Sequence, residues 1–84
     1  MRALVCKELG TAQQLSLEDN WPDPTPGPKE VIVDVKAAGL NFPDTLIIAG
    51  KYQVQPELPF IPGAEAAGVV SAIGEKVTNV KVGD

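Results

Sequence analysis

Residues 35–52 read VKAAGLNFPDTLIIAGKY, a stretch that leaves a strand and enters a helix within a few residues. Upstream, Val31, Val33 and Val35 alternate with Ile32, Asp34 and Lys36. That is the period-two pattern of a strand with one face buried and one mostly wet. Side chains then shrink through Ala37-Ala38-Gly39, where another group can approach the backbone closely. Pro43 suits the first position of a helix, Asp44 its first turn, and Gly50 the position just past its end. The spacing predicts a helix of about two turns over residues 43–49. A residue before proline is pushed toward extended backbone, so Phe42 is the expected cap, with Asn41 just outside on the strand-to-helix junction.

Outward from this stretch the pattern is mostly β. Residues 2–8 (RALVCKE) and 14–18 (QLSLE) suit two short strands with a turn at Gly10-Thr11. Between Trp21 and Lys29, prolines 22, 24, 26 and 28 fall at every second position. They rule out helix and central strand, and they miss the three-residue repeat of a PxxP ligand, so a stiff surface connection is expected. Residues 51–63 form a loop with prolines at 56, 59 and 62, in which Phe60-Ile61 look destined for burial. AEAAGVVSAIG (64–74) is small and apolar and should pack as a buried strand before a turn at Gly74-Glu75-Lys76. Several of these strands are expected to lack partners within the chain, which reads as part of a larger fold.

Composition narrows the chemistry. The 84 residues include no histidine and one cysteine, with 7 basic against 11 acidic residues for a net charge of −4. Without histidine there is no Ser-His-Asp triad, Cys-His pair or His-ligated metal centre. Cys6 alone makes neither an internal disulfide nor a four-thiolate site, and it reads as a small core residue. The acidic balance argues against a nucleic-acid partner. No apolar run approaches the roughly 20 residues of a membrane span, and no signal peptide is visible, so a cytoplasmic chain is expected. Gly63 to Gly68 spans GxxxxG, but Val69-Val70 follows instead of Lys-Ser/Thr, and no GxGxxG follows a strand.

Two segments, 35–52 and 58–84, together resemble the N-terminal catalytic domain of the medium-chain dehydrogenase/reductase superfamily. In its zinc alcohol dehydrogenases the first signature reads G-[IV]-C-x-x-D and the second G-H-E-x-x-G-x-V, the Cys and His being zinc ligands. Here the first is Gly39-Leu40-Asn41-Phe42-Pro43-Asp44 and the second Gly63-Ala64-Glu65-Ala66-Ala67-Gly68-Val69-Val70. Asn41 replaces the Cys and Ala64 the His. Both changes together are similar to the zinc-free quinone oxidoreductase branch that includes ζ-crystallin and bacterial NADPH:quinone reductases.

The resemblance implies a mostly β fold, a partial GroES-like barrel with one short helix, ending before a Rossmann cofactor domain. Residues 1–84 would be the N-terminal part of the catalytic domain, with the Rossmann domain absent from the chain. It implies hydride transfer from NADPH, bound mainly by the Rossmann domain, to a quinone or other conjugated carbonyl, with no zinc. By the same resemblance Asn41 and Tyr52 are the catalytic hydrogen-bond donors, Asn41 and Asp44 contact the cofactor, and Glu65 supports the site from behind. Leu46 stands where related enzymes often carry Tyr, which points to a more apolar acceptor. The parent is expected to be a homodimer, and residues 1–84 alone to be inactive.

Each residue also has a structural reading. Asn41 could satisfy backbone groups at the junction, Asp44 favour the helix N-terminus, Tyr52 pack on a proline, and Gly63 and Gly68 serve backbone geometry. The rival activities are an enoyl-thioester (enoyl-CoA) reductase of the same superfamily and a free-standing GroES-like binding module that needs no cofactor.

Overall fold

The computed structural model describes all 84 residues, Met1–Asp84. Four strands and one α-helix follow in the order β1 (Ala3–Cys6), a 3-10 turn (Ala12–Gln14), β2 (Leu15–Glu18), β3 (Val31–Gly39), α1 (Phe42–Ile48) and β4 (Glu65–Ile73). They form two compact units: Met1–Pro22 with Gly39–Ala64, and Asp23–Ala38 with Glu65–Asp84. There is no closed barrel; each unit carries its own two-stranded sheet, β1-β2 in one and β3-β4 in the other. Every strand therefore has a partner within the chain, contrary to the expectation that several would lack one.

In the first unit β1 and β2 pair antiparallel, with Ala3 opposite Glu18 and Cys6 opposite Leu15. The connection turns through Thr11, whose backbone N–H donates to Gln14 Oε1 at 2.6 Å. Lys7 Nζ reaches Glu18 Oε1 at 2.6 Å across the sheet. The buried core sits here and is small: Ala3, Val5, Cys6 and Ile48. Cys6 is fully buried, as its sequence position predicts. The 51–63 segment is a loop, as its prolines require. It is held to β1 where Phe60 forms an isolated antiparallel bridge with Cys6. Phe60 is half-buried and Ile61 exposed, so only the first of that pair gains the cover expected of it.

Gly50 ends α1 as its place in the sequence predicts. Its φ of +72° is a left-handed conformation that a side chain disfavours. Its N–H donates to Ile47 O at 3.1 Å while the Lys51 N–H donates to Leu46 O at 2.8 Å. That pair of bonds is the Schellman closure, which satisfies carbonyls the helix itself leaves open.

In the second unit β3 and β4 are the two longest strands, nine residues each. Gly68 lies against Asp34, Ser71 Oγ donates to Ile32 O, and the Gly74 N–H donates to Glu30 O, so the strands run antiparallel. A Cβ at Gly68 would collide with the Asp34 carbonyl oxygen and the Val33 side chain. This is the backbone role anticipated for that glycine. The turn at Gly74–Lys76 is closed by the Lys76 N–H donating to Pro28 O at 2.8 Å. The tail returns to β4: the Gly83 N–H donates to Val70 O and the Val70 N–H to Asp84 O, both at 2.8 Å.

Burial in this unit departs from the sequence expectation. Val33 and Val35 on β3 and Val69 on β4 are exposed, as are Glu65, Ala66, Ala67 and Gly68. A two-stranded sheet has two faces to cover, and within this unit the tail pairs with β4 only at Val70. The apolar sequence marks a surface suited to burial that these residues do not bury.

Candidate functional site

The chain leaves β3 at Gly39 and enters α1 three residues later, and Asn41 is the N-cap of that helix. Its backbone is extended, with φ −132° and ψ 163°, as a cap requires. This corrects the expectation that Phe42 caps the helix with Asn41 outside it. Phe42 is instead the first helical residue and Pro43 the second. The pre-proline penalty on Phe42 is outweighed by a capping box spanning Asn41 and Asp44. The Asn41 N–H donates to Asp44 Oδ2 at 2.9 Å, and the Asp44 N–H donates to Asn41 O at 3.0 Å. Thr45 Oγ1 closes the first turn on Phe42 O at 2.6 Å.

The two ends of this box face different surroundings. Asp44 is 8% exposed and shares the inner face of α1 with Ile48, one turn on. Asn41 is exposed. It stands between Leu40 and Phe42, which are 79% and 73% exposed, more than any other large apolar side chains of the chain. In the sequence Phe42 reads only as the helix cap and Leu40 has no role, although two apolar residues flanking a junction amide were there to be read.

Behind the cap, Asn41, Asp44 and Thr45 join Leu4, Leu15 and Ile48 around a cavity of about 140 Å³. Its lining is almost entirely apolar and includes no Lys or Arg. Such a wall offers a phosphate no basic side chain.

The other predicted site residues lie elsewhere. Tyr52 is half-buried in the segment that follows α1 and does not line this cavity. Glu65 opens β4 in the second unit and is exposed, not partly buried as expected. No three Cys, Asp or Glu side chains converge as a metal-ligand set. The structure thus brings Asn41 and Asp44 together, with neither Tyr52 nor Glu65 beside them in that cavity.

Residues 27–84 match the alcohol dehydrogenase GroES-like domain. The chain belongs to that family. It is 49% identical over 83 residues to the rat quinone oxidoreductase-like protein 2, covering 99% of this chain and 23% of that protein. It is 42% identical over 84 residues to an alcohol dehydrogenase of a Moraxella species, covering all of this chain and 24% of that one. Among solved structures, the Escherichia coli quinone oxidoreductase complexed with NADPH superposes on the whole chain at a TM-score of 0.90. The two are 37% identical, and the match covers 25% of the E. coli chain. The chain thus spans about a quarter of the length of the relatives it matches. The GroES-like assignment made from residues 35–52 and 58–84 holds, and so does the kinship with quinone oxidoreductases. No helix of the chain is long and apolar enough to cross a membrane.

Proposed function

We propose that this chain is the substrate-side domain of an NADPH-dependent quinone oxidoreductase that works without zinc. The observation that carries the reading is Asn41: an exposed amide, fixed at a helix cap, in the place where zinc-dependent relatives need a thiolate. Zinc sites are built from thiolate, imidazole or carboxylate donors in a near-tetrahedral set. A carboxamide at Asn41 and a methyl group at Ala64 supply neither of the two ligands those signatures require. The relatives named quinone oxidoreductase support the activity, and the E. coli neighbour in complex with NADPH supports the cofactor.

NADPH, when bound, supplies the hydride. The residues around Asn41 fit only its uncharged ring end, since the cavity behind the cap lacks a basic side chain. Its phosphates therefore require residues outside this group, in the Rossmann domain of the proposed two-domain enzyme. As hydride reaches a conjugated carbonyl, negative charge develops on the carbonyl oxygen. In the absence of a Lewis acid, preorganised donors must stabilise it. The Asn41 carboxamide N–H does this, assisted by the Tyr52 hydroxyl. Leu40 and Phe42 shed water from the acceptor ring and so strengthen the Asn41 bond. Leu46 leaves the acceptor pocket one hydroxyl poorer than in relatives with Tyr at that position. The physiological partner is thus a small, weakly polar quinone or enone.

The test is steady-state oxidation of NADPH by the full-length protein with 1,4-benzoquinone. Asn41→Ala should lower kcat about 10²-fold, the usual cost of one oxyanion donor. Unchanged kcat in that variant, or one tightly held zinc per subunit by metal analysis, would overturn the reading.

A further inference from the structure

The capping box does more than start a helix. Asp44 is nearly buried and Asn41 is exposed, yet the two exchange hydrogen bonds through their backbones and the Asp44 carboxylate. We infer that Asp44 is a positioning residue for Asn41: its buried carboxylate fixes the Asn41 backbone, and thereby aims the Asn41 amide at the acceptor oxygen. The inference rests on the reading of Asn41 as the oxyanion donor. It assigns Asp44 a different part from the cofactor contact implied by family resemblance.

Three observations carry it. First, Asp44 Oδ2 is already engaged by the Asn41 N–H at 2.9 Å, and the residue is only 8% exposed. A carboxylate turned inward in this way is poorly placed to meet an anionic dinucleotide. Second, Asn41 is an extended residue between a strand end and a helix start, and the capping box it forms with Asp44 joins the two residues into one unit. Third, the helix that bears Asp44 is anchored at its far end by Ile48, a member of the core, and by the Gly50 closure. Asp44 therefore ties the Asn41 donor to a fixed element. Misplacement of a catalytic group by about 1 Å can cost about 10²-fold in rate, so such a tie has a kinetic consequence.

The experiment is a double-mutant cycle on the full-length protein, reading kcat and the KM for NADPH separately with 1,4-benzoquinone as acceptor. Asp44→Ala removes the acceptor for the Asn41 N–H and should lower kcat about tenfold or more, with the KM for NADPH within about twofold of wild type. Asp44→Asn retains an oxygen at the same place and should recover most of the loss. Asp44→Ala made in an Asn41→Ala background should cost less than about twofold, because the residue through which Asp44 acts is gone. Full additivity in that background would overturn the positioning role. So would a severalfold change in the KM for NADPH in Asp44→Asn, which would assign the carboxylate to the cofactor. If Asp44→Ala does not fold, the Asp44→Asn measurements alone still decide between these two outcomes. Failure of the underlying reading is separately visible: Asn41→Ala alone would then leave kcat unchanged, and both assignments would fall.

Discussion

Cys6 and Phe60 exchange backbone hydrogen bonds: the Cys6 N–H donates to Phe60 O at 2.8 Å and the Phe60 N–H returns to Cys6 O at 3.1 Å. The proline-rich loop is thereby pinned to the strand whose side chains form the core. The one thiol of the chain is fully buried on that strand, and Cys6 Sγ donates to Glu8 O at 3.2 Å. Thiols react as thiolates and only where reagent can reach them. Labelling of Cys6 by a disulfide reagent should therefore follow local opening of this bridge, at a rate about a hundredfold or more below that in denaturant. Native labelling as fast as that of the unfolded chain would show that the loop does not hold.

Gly68 sets the closest approach of β3 and β4. Any Cβ there runs into the Asp34 carbonyl, and backbone cannot yield as the end of a side chain can. Gly68→Ala should force the strands apart and destabilise the protein by about 2–3 kcal/mol, in the range of overpacked interiors. Thermal melts should show the loss, and hydrogen exchange should localise it to β3 and β4. Faster exchange confined to β1 and β2 would contradict this account.

How far these features could be read in the sequence depended on whether their causes were local. Pro43, Asp44 and Gly50 bracket α1 with signals that act within one turn, and the helix lies within one residue of its expected bounds. The cap was misplaced because two local rules competed at Phe42 and Asn41. The pre-proline rule concerns one residue's dihedrals, whereas the Asn41-x-x-Asp44 box satisfies backbone donors at both ends, and the latter prevailed. Burial of β4 was a different matter. Apolar content records what a surface is fit to pack against, and the contact that would bury Val69 or Glu65 is not encoded in residues 64–74. Asn41 was legible as a candidate site residue only by comparison with a zinc signature; its exposure between Leu40 and Phe42 required the structure.

The Lys7–Glu18 pair gives the first unit a weak pH dependence. The Lys7 ammonium, bonded to Glu18 at 2.6 Å, holds the Glu18 carboxyl below its ordinary value, with a smaller contribution from the Ser16 hydroxyl at 3.0 Å. A carboxyl depressed on folding adds stability that is present above its unfolded pKa and lost as the pH falls through its folded one. The pair is exposed to solvent, so the effect is small and screened by salt. In a side-chain NMR titration Glu18 should titrate below an ordinary glutamate, and Lys7→Met should move it back up. A Glu18 midpoint unaffected by Lys7→Met would show that the ion pair is not formed in solution.

Tyr52 carries the remaining expectation for the proposed chemistry, and its position makes the test sharp. The hydroxyl belongs to a half-buried side chain just beyond the Gly50 closure, outside the cavity behind Asn41. The Lys51 N–H bond to Leu46 O fixes the backbone immediately before it, so the ring's approach is set by the end of α1. Asn41 is set by the start of the same helix. A seven-residue helix spans only about 10 Å, the distance across which the two proposed donors would have to reach one acceptor. Removing one of two preorganised donors leaves the other in place, so Tyr52→Phe should lower kcat by about tenfold and leave the KM for NADPH unchanged. Tyr52→Phe deletes one oxygen and keeps the ring, so the melting temperature should stay within about 2 °C of wild type. A fall in melting temperature with kcat intact would assign Tyr52 to packing in the proline-rich loop and leave Asn41 as the donor this domain contributes.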